Sequence, residues 1–315
     1  MAKSLSTLES LPNETLLDLF EYFDAQSLYK SFYNLNSRWN SLLQSLSNLS
    51  LTFRTSDMNS FDHYPKLFSS QIYTLMIYSQ DNIDLDQFHN LRNLFIWFPT
   101  DEQIFQINTK SFHSLIYLHI SFTILKPSIS SLYQKVFSNG FPSLKFCYLC
   151  GCESPDDTLQ WTQSPNLHYL HTSSNHASIL NSSPNLSSLI LDIIILDGKF
   201  LHFKSHLNLK RLELVTTNVT WLDDKKQLKL LFSLLPNLER FSYHKTYSIT
   251  NSIDILLQYD WLANTLPLLK RFVYYLHIFN LFSIDQSEFY EHYSKIKENF
   301  LKIYPNQSKY SLKIK

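Results

Sequence analysis

At 315 residues, with 27 basic and 27 acidic side chains, the chain has no net formal charge, so no global field favours nucleic acid or an anionic membrane as partner. Hydrophobic residues make up 44% of it, enough for a sizeable core and too many for a disordered chain. Its glycines, Gly140, Gly151 and Gly198, lie too far apart for a phosphate loop, a dinucleotide fingerprint or a nucleophile elbow, which excludes those enzyme classes.

The first ten residues carry no apolar leader core, and the longest apolar stretch, Leu186 to Leu196, is interrupted by Asp192 and too short to span a bilayer. Three cysteines cannot build a disulfide framework. These features predict an intracellular protein, cytoplasmic or nuclear, with no membrane contact.

After an N-terminal tail over residues 1–7, residues 8–46 form the first organised segment. Apolar residues at Leu16, Leu19, Phe20 and Phe23, then Leu28, Phe32 and Leu35, then Trp39, Leu42, Leu43 and Leu46 follow the spacing of three short amphipathic helices. Pro12 suits the first turn of helix one, and Asp24 is placed to cap helix two. The region from Asn34 to Asn36 separates helices two and three. So small a unit lies near the size at which a core cannot support itself, so part of its apolar surface is expected to be covered by another domain or protein.

The run Leu11-Pro12-Asn13-Glu14, then Leu16-Leu17, Leu19-Phe20 and Tyr22-Phe23, then Ser27-Leu28, and Ser37-Arg38-Trp39 with Leu42-Leu43, resembles an F-box. The resemblance covers about an eighth of the chain. It departs at Ser27, where an Asp is usual, and at Leu35-Asn36, where Val-Cys is usual. It implies docking onto the Skp-type adaptor of cullin–RING ubiquitin ligases, carried here by Leu11, Pro12, Glu14, Leu16, Leu17, Phe20, Phe23, Leu28 and Trp39.

Residues 47–284 repeat a leucine-x-x-leucine-x-leucine segment nine times, with first positions at Ile72, Leu91, Leu115, Leu144, Leu167, Leu186, Leu209, Leu238 and Leu269. The steps of 19, 24, 29, 23, 19, 23, 29 and 31 residues suit repeats that bury their first, fourth and sixth side chains only by stacking on neighbours. Five units carry a proline just before the first position: Pro142, Pro165, Pro184, Pro236 and Pro267. A polar ladder is expected in a turn at the ninth position, occupied by Gln80, Pro99, Thr123, Cys152, Asn175, Ile194, Thr217, Thr246 and His277. Return helices are expected over 129–137, 223–234 and 253–262, and at most a turn over 173–183. Residues 285–315 are expected to close the end, with an amphipathic helix over 285–301. The pattern resembles the leucine-rich-repeat class of F-box proteins. The fold class is therefore α/β: a three-helix F-box, then an irregular leucine-rich-repeat solenoid with parallel strands on its concave face.

Side chains alternate across a strand, so positions three, five and seven point away from the buried set. They run Phe95, Trp97, Tyr117, His119, Phe146, Tyr148, Tyr169 and His171, then Arg211, Arg240 and Arg271, aromatic first and basic later. Such a strip suits a protein target, and three arginines at one repeat position suit an acidic or phosphorylated segment of it. Cys147, Cys150 and Cys152 near His168, His171 and His176 raise the question of zinc. The in-strand spacing is a poor match to zinc fingers, so no metal and no cofactor is expected.

No nucleophile, base and oxyanion set can be assembled from these motifs, so no catalytic residue is expected. The chain is expected to be the non-catalytic substrate-recognition subunit of an SCF-type ubiquitin ligase, its adaptor linking it to cullin and its repeats holding a target protein. The alternative is a repeat-based scaffold tethered to the adaptor without ubiquitination.

Overall fold

The computed structural model describes residues 8–54, 68–78, 83–126, 129–152, 161–173, 178–193, 205–216, 225–248, 266, 268–279, 294, 298, 301–302 and 310–314. The chain divides into two compact units, Met1–Ser121 and Phe122–Lys315.

The first unit opens with helices α1 (Asn13–Phe20), α2 (Ala25–Phe32) and α3 (Ser37–Ser45), and each start has a local cause. Extended Pro12 precedes α1, where its missing N–H costs nothing. The Asp24 carboxylate accepts from the Ser27 amide at 2.7 Å and the Asn36 side chain from the Trp39 amide at 3.1 Å, so both following helices have side-chain caps. Asn34 ends the α2 region at φ 62, a left-handed conformation that asparagine tolerates better than most residues, and its amide donates to Asn40 Oδ1 at 2.9 Å. Leu16, Phe20, Leu28, Phe32, Trp39, Leu42 and Leu43 close the core, with Phe32 and Trp39 stacked at 5.1 Å. Leu35 falls outside α2 and is 59% exposed, so it is not the core position its spacing suggested.

The strands that follow are β1 (Leu49–Phe53), β2 (Ile72–Ile77), β3 (Asn93–Trp97) and β4 (Tyr117–Lys126), parallel and in chain order; the division between the units falls inside β4. Helix α4 (Asp101–Gln106) starts on a capping box in which Thr100 and Gln103 satisfy each other's backbone amides. The second unit holds β5 (Phe146–Cys152), β6 (Tyr169–Thr172), β7 (Ser188–Ile193), β8 (Arg211–Thr216), β9 (Arg240–Ser248), β10 (Arg271–Phe279) and β11 (Tyr310–Ile314), again parallel and in chain order. Its helices are α5 (Ser130–Phe137), α6 (Ser178–Ser182) and α7 (Lys225–Ser233). The protein is thus α/β with parallel strand pairing throughout the described residues.

Register explains why the sequence repeats as it does. Leu75 pairs with Leu94 and Leu94 with Leu118; in the second unit the row runs Cys147, Leu170, Leu189, Leu212, Phe241 and Phe272. All of these fourth-position side chains are buried, as are the first-position side chains from Ile72 to Leu269. Burying each is worth roughly 1.5–3 kcal/mol, and only a stacked neighbour supplies the cover. Thr172 is the polar exception in the sixth-position row, and its hydroxyl lies 3.3 Å from the Tyr133 hydroxyl of α5.

Of the nine expected turn positions, Thr123, Cys152, Thr246 and His277 lie in strands rather than turns, and along β9 and β10 the pairing continues past them. A polar ladder lies one residue before the first position of five of the nine units. Asn90 Nδ2 donates to Ser70 O (2.6 Å), Asn166 to Pro142 O (2.6 Å), Asn185 to Pro165 O (2.8 Å), Asn208 to Pro184 O (2.9 Å) and Asn237 to Leu207 O (2.8 Å). Each asparagine therefore satisfies a turn carbonyl of the preceding unit, which proline, lacking an N–H, cannot bridge in return. Gln71 does the same for the end of α3, donating to the carbonyls of Leu43, Gln44 and Leu46.

Strands β1 and β11 extend the pairing beyond the nine repeats, and α6 makes a full short helix where a turn was expected. The expected helix over 253–262 lies outside the described residues. Of the 285–301 helix, Ser294, Glu298 and Leu301 are described, all helical, and Lys302 pairs with Glu298 at 2.9 Å.

Candidate binding surface

In the helical segment, Arg38 of α3 joins the two ends of the motif. Its Nε donates to Asn13 Oδ1 at 2.9 Å, while its two other nitrogens donate to the carbonyls of Glu9 and Leu11. The planar guanidinium suits this fan of acceptors, and a lysine there would hold one of them at a time. Leu16, Phe20, Leu28 and Trp39, expected to touch an adaptor, are instead buried to 1% exposure or less and form the core. That correction follows from helix geometry, which points one apolar stripe inward. The groups left for a partner are Pro12 and Glu14, exposed, and Leu11, Leu17 and Phe23, half-buried. Leu8 (43%), Tyr22 (88%) and Leu35 (59%) add exposed apolar surface, of which only Tyr22 belonged to the quoted motif and none to the expected contacts.

On the outward strand face of the first unit, the expected aromatics meet one another. Tyr78 and Trp97 stack at 4.0 Å and 8°, Phe95 and Tyr117 at 4.7 Å, and Trp97 lies 4.8 Å from His119. Phe95 is paired in register with His119 and Asn93 with Tyr117, so the Phe95–Tyr117 and Trp97–His119 contacts run diagonally between neighbouring strands, within reach of aromatic side chains. Phe95, Trp97, Tyr117 and His119 are half-buried, which fixes the rings before any partner arrives. Tyr78, 40% exposed at the seventh position of its unit, was missed because the strip was taken to begin with the next strand.

In the second unit Phe146 is exposed, Tyr169 half-buried with its ring 6.4 Å from Phe146, and Tyr148 meets His171 edge-on at 4.3 Å. His171 Nε2 lies 2.9 Å from Asp192 Oδ2, and Cys150 Sγ donates to the same oxygen at 3.2 Å. Burial first, then the hydrogen bond with Cys150 and the nearby negative charge, push the Tyr148 phenol well above its ordinary range. Cys147 faces the core, His168 is exposed beside Asn166, and the Cys152 side chain and His176 lie outside what is described.

Arg211, Arg240 and Arg271 are paired residue to residue along β8, β9 and β10, and all three are exposed. Arg211 Nη2 donates to Glu213 Oε2 at 3.0 Å, and His244 Nε2 approaches Glu213 Oε1 within 3.2 Å. The His244 contact chiefly, then Arg211, holds the Glu213 carboxyl below the usual carboxylate range despite its burial. Glu239 is engaged by Lys270 at 2.8 Å. Among the described residues, no carboxylate is in ion-pair distance of Arg240 or Arg271. Lys210, Arg211 and Arg240 line a shallow depression with Phe146, Tyr169 and Glu239. It can take a flat or anionic group. No protein-family model matches this chain, and no curated protein matches it in sequence.

Proposed function

We propose that the chain is a substrate-recognition subunit of an SCF-type ubiquitin ligase, whose helical segment is an F-box for a Skp-type adaptor and whose leucine-rich repeats bind a target protein. The observation that carries this reading is the Arg38 fan. It ties the Leu11-Pro12 opening to the Ser37-Arg38-Trp39 end, so the two most specific parts of the resembling motif support one presented surface. Exposed apolar groups on so small a unit favour a protein partner over solvent.

The target would lie against the strand face, where stacked aromatics supply rigid contact area and the arginine column supplies forks for carboxylate or phosphate. No residue of the chain has to do chemistry, since ubiquitin transfer belongs to other subunits. A scaffold tethered to the adaptor without ubiquitination is the alternative, and the same aromatic and basic face would serve it.

The test is capture of purified Skp-type adaptor by the full chain. Leu11→Ala with Pro12→Ala should abolish capture, and Arg38→Gln should weaken it, with circular dichroism unchanged. Undiminished capture by the double variant would refute the F-box reading. Reconstitution with cullin then separates ligase from scaffold by whether a bound target acquires ubiquitin.

A further inference from the structure

Cys150, His171 and Asp192 bring sulfur, nitrogen and oxygen donors together on three successive strands, and the ligase reading makes no use of them as a set. Their meeting follows from strand lengths. β6 stops at Thr172, whereas β5 continues to Cys152 and β7 to Ile193. Register places Tyr148 beside His171 and His171 beside Ile190. Cys150 and Asp192 therefore sit two residues further along the flanking strands, on the same face as His171. With β6 ended, these two short side chains reach toward each other over the imidazole.

We propose that Cys150, His171 and Asp192 form a zinc-binding site with three protein ligands and one open coordination position. The ligand atoms of all three lie within 4.8 Å of one another, with 3.2 Å from sulfur to Asp192 Oδ2 and 2.9 Å from His171 Nε2 to that oxygen. Tetrahedral zinc, with bonds of about 2.3 Å to sulfur and about 2.0–2.1 Å to nitrogen or oxygen, spaces its donors about 3.3–3.6 Å apart. The two distances to the carboxylate oxygen fall just short of that range and no pair of donors is more than 4.8 Å apart, so small side-chain rotations suffice to admit the ion. Thiolate and imidazole disfavour calcium and magnesium, which take oxygen donors, and suit a borderline-soft divalent ion.

Charge balance agrees. One thiolate and one carboxylate offset the two positive charges of zinc, a fit for a place where Cys150 is only 7% exposed and the His171 and Asp192 side chains 16% and 31%. On binding, the Cys150 S–H bond gives way to S–Zn and its proton leaves to solvent, while His171 coordinates through Nε2. The open position faces the outward strand surface, where water or a donor from a bound protein completes the tetrahedron.

A thiol hydrolase uses the same three residue types in another order. There the imidazole stands between nucleophile and carboxylate, whereas here Asp192 Oδ2 stands between thiol and imidazole. The thiol donates its hydrogen bond to a carboxylate rather than to an imidazole base.

The experiment uses the full chain stripped by a chelator and titrated with cobalt(II), a coloured stand-in for zinc. Expected are one ion per chain, a thiolate-to-cobalt charge-transfer band, tetrahedral visible bands, and loss of all of them when zinc is added. Cys150→Ser should erase the charge-transfer band, and His171→Ala should weaken binding more than about tenfold. Cys147→Ala should keep both, because that side chain faces the core. Asp192→Asn, at a partly exposed position that tolerates it, should also lose affinity and serves if Cys150→Ser fails to fold. The proposal is overturned by a folded wild-type chain without a charge-transfer band, by a band that survives Cys150→Ser or vanishes in Cys152→Ser, or by full affinity in Asp192→Asn. None of these outcomes depends on the adaptor, so this proposal and the ligase reading stand or fall separately.

Discussion

The outward face of β2 to β4 and that of β8 to β10 carry different chemistry, rings at positions three, five and seven in the first and a column of arginines at position three in the second. In the first, Tyr78, Phe95, Trp97, Tyr117 and His119 cover one another, so the empty face already contains most of its favourable contacts. In the second, Arg211, Arg240 and Arg271 repel along a column, and Glu213 answers only the first of them by contact. One face is complete when empty and the other is completed by what binds. Sharing an outward face therefore does not mean equal contribution to stability: stacked rings stabilise the fold, and a like-charged column adds little to it.

The comparison breaks most visibly at Trp97. Trp97→Ala should destabilise the protein by about 2 kcal/mol in urea unfolding, since the ring contacts Tyr78, Phe95 and His119 and each aromatic pair is worth about 0.5–1.5 kcal/mol. Arg240→Gln in the same assay should change stability by no more than about 0.5 kcal/mol. Equal losses would mean that the two faces are not different in kind.

The next effect is on binding. Replacing Arg211, Arg240 and Arg271 together by Gln should lower affinity for a phosphorylated or acidic peptide roughly tenfold, about 1.4 kcal/mol, and flatten its salt dependence. A peptide that binds the triple variant unchanged would shift the recognition role to the aromatic face.

Acid should act selectively on the second unit through Glu213. Its carboxyl is held below the usual range by His244 first and Arg211 second, so its contribution is fully present above the unfolded value of about 4.3 and is lost as pH falls through the lower folded value. Glu213→Gln should leave a melting curve that no longer responds to this group in that acid window, whereas an unaltered acid response would assign it elsewhere.

The smallest effect sharpens the comparison by its sameness. Asn90→Ala in the first unit and Asn185→Ala in the second each remove one side-chain bond to a turn carbonyl, and each should cost about 0.5–1 kcal/mol. A large inequality would show that the ladder is not common to both units.

Much of this was legible in the sequence because it is local. The strand cores follow from spacing alone: Leu91, Leu94 and Ile96, or Leu209, Leu212 and Leu214, could bury together in no other regular arrangement. Caps at Asp24 and the helices at 130–137 and 225–233 follow from propensity and period. β1 and β11 escaped because Leu49, Leu51 and Phe53, like Tyr310, Leu312 and Ile314, alternate simply and lack the leading leucine of the repeat. The asparagine ladder before the first position was not sought, although Pro-Asn-Leu recurs at 165–167, 184–186 and 236–238 beside every noted proline but two.

Of the Cys150, His171 and Asp192 cluster, the sequence offered Cys150 and His171 among the zinc candidates and set them aside, and Asp192 was not among them. The three are 21 residues apart in each step and come from positions seven, five and seven, so finding the cluster requires the register and the early end of β6. The burial of Leu16, Phe20, Leu28 and Trp39 was legible as amphipathic spacing, yet motif resemblance drew them to the surface. A motif names residues that a fold needs and residues that a partner touches without saying which is which.

The asparagine ladder separates the length of a connection from the alignment of what it connects. Asn185 reaches back across 20 residues and Asn237 across 30, yet both end on the carbonyl of the equivalent turn. Whatever the intervening loop does, the next strand starts at the same height, and the outward side chains stay in their rows. Insertions between a strand's end and the next asparagine are therefore changes of loop alone, with little entropic cost for added length. Within each unit the chain can lengthen, shorten or exchange its return segments, as a spiral binding admits pages of any width, while the strands keep their register.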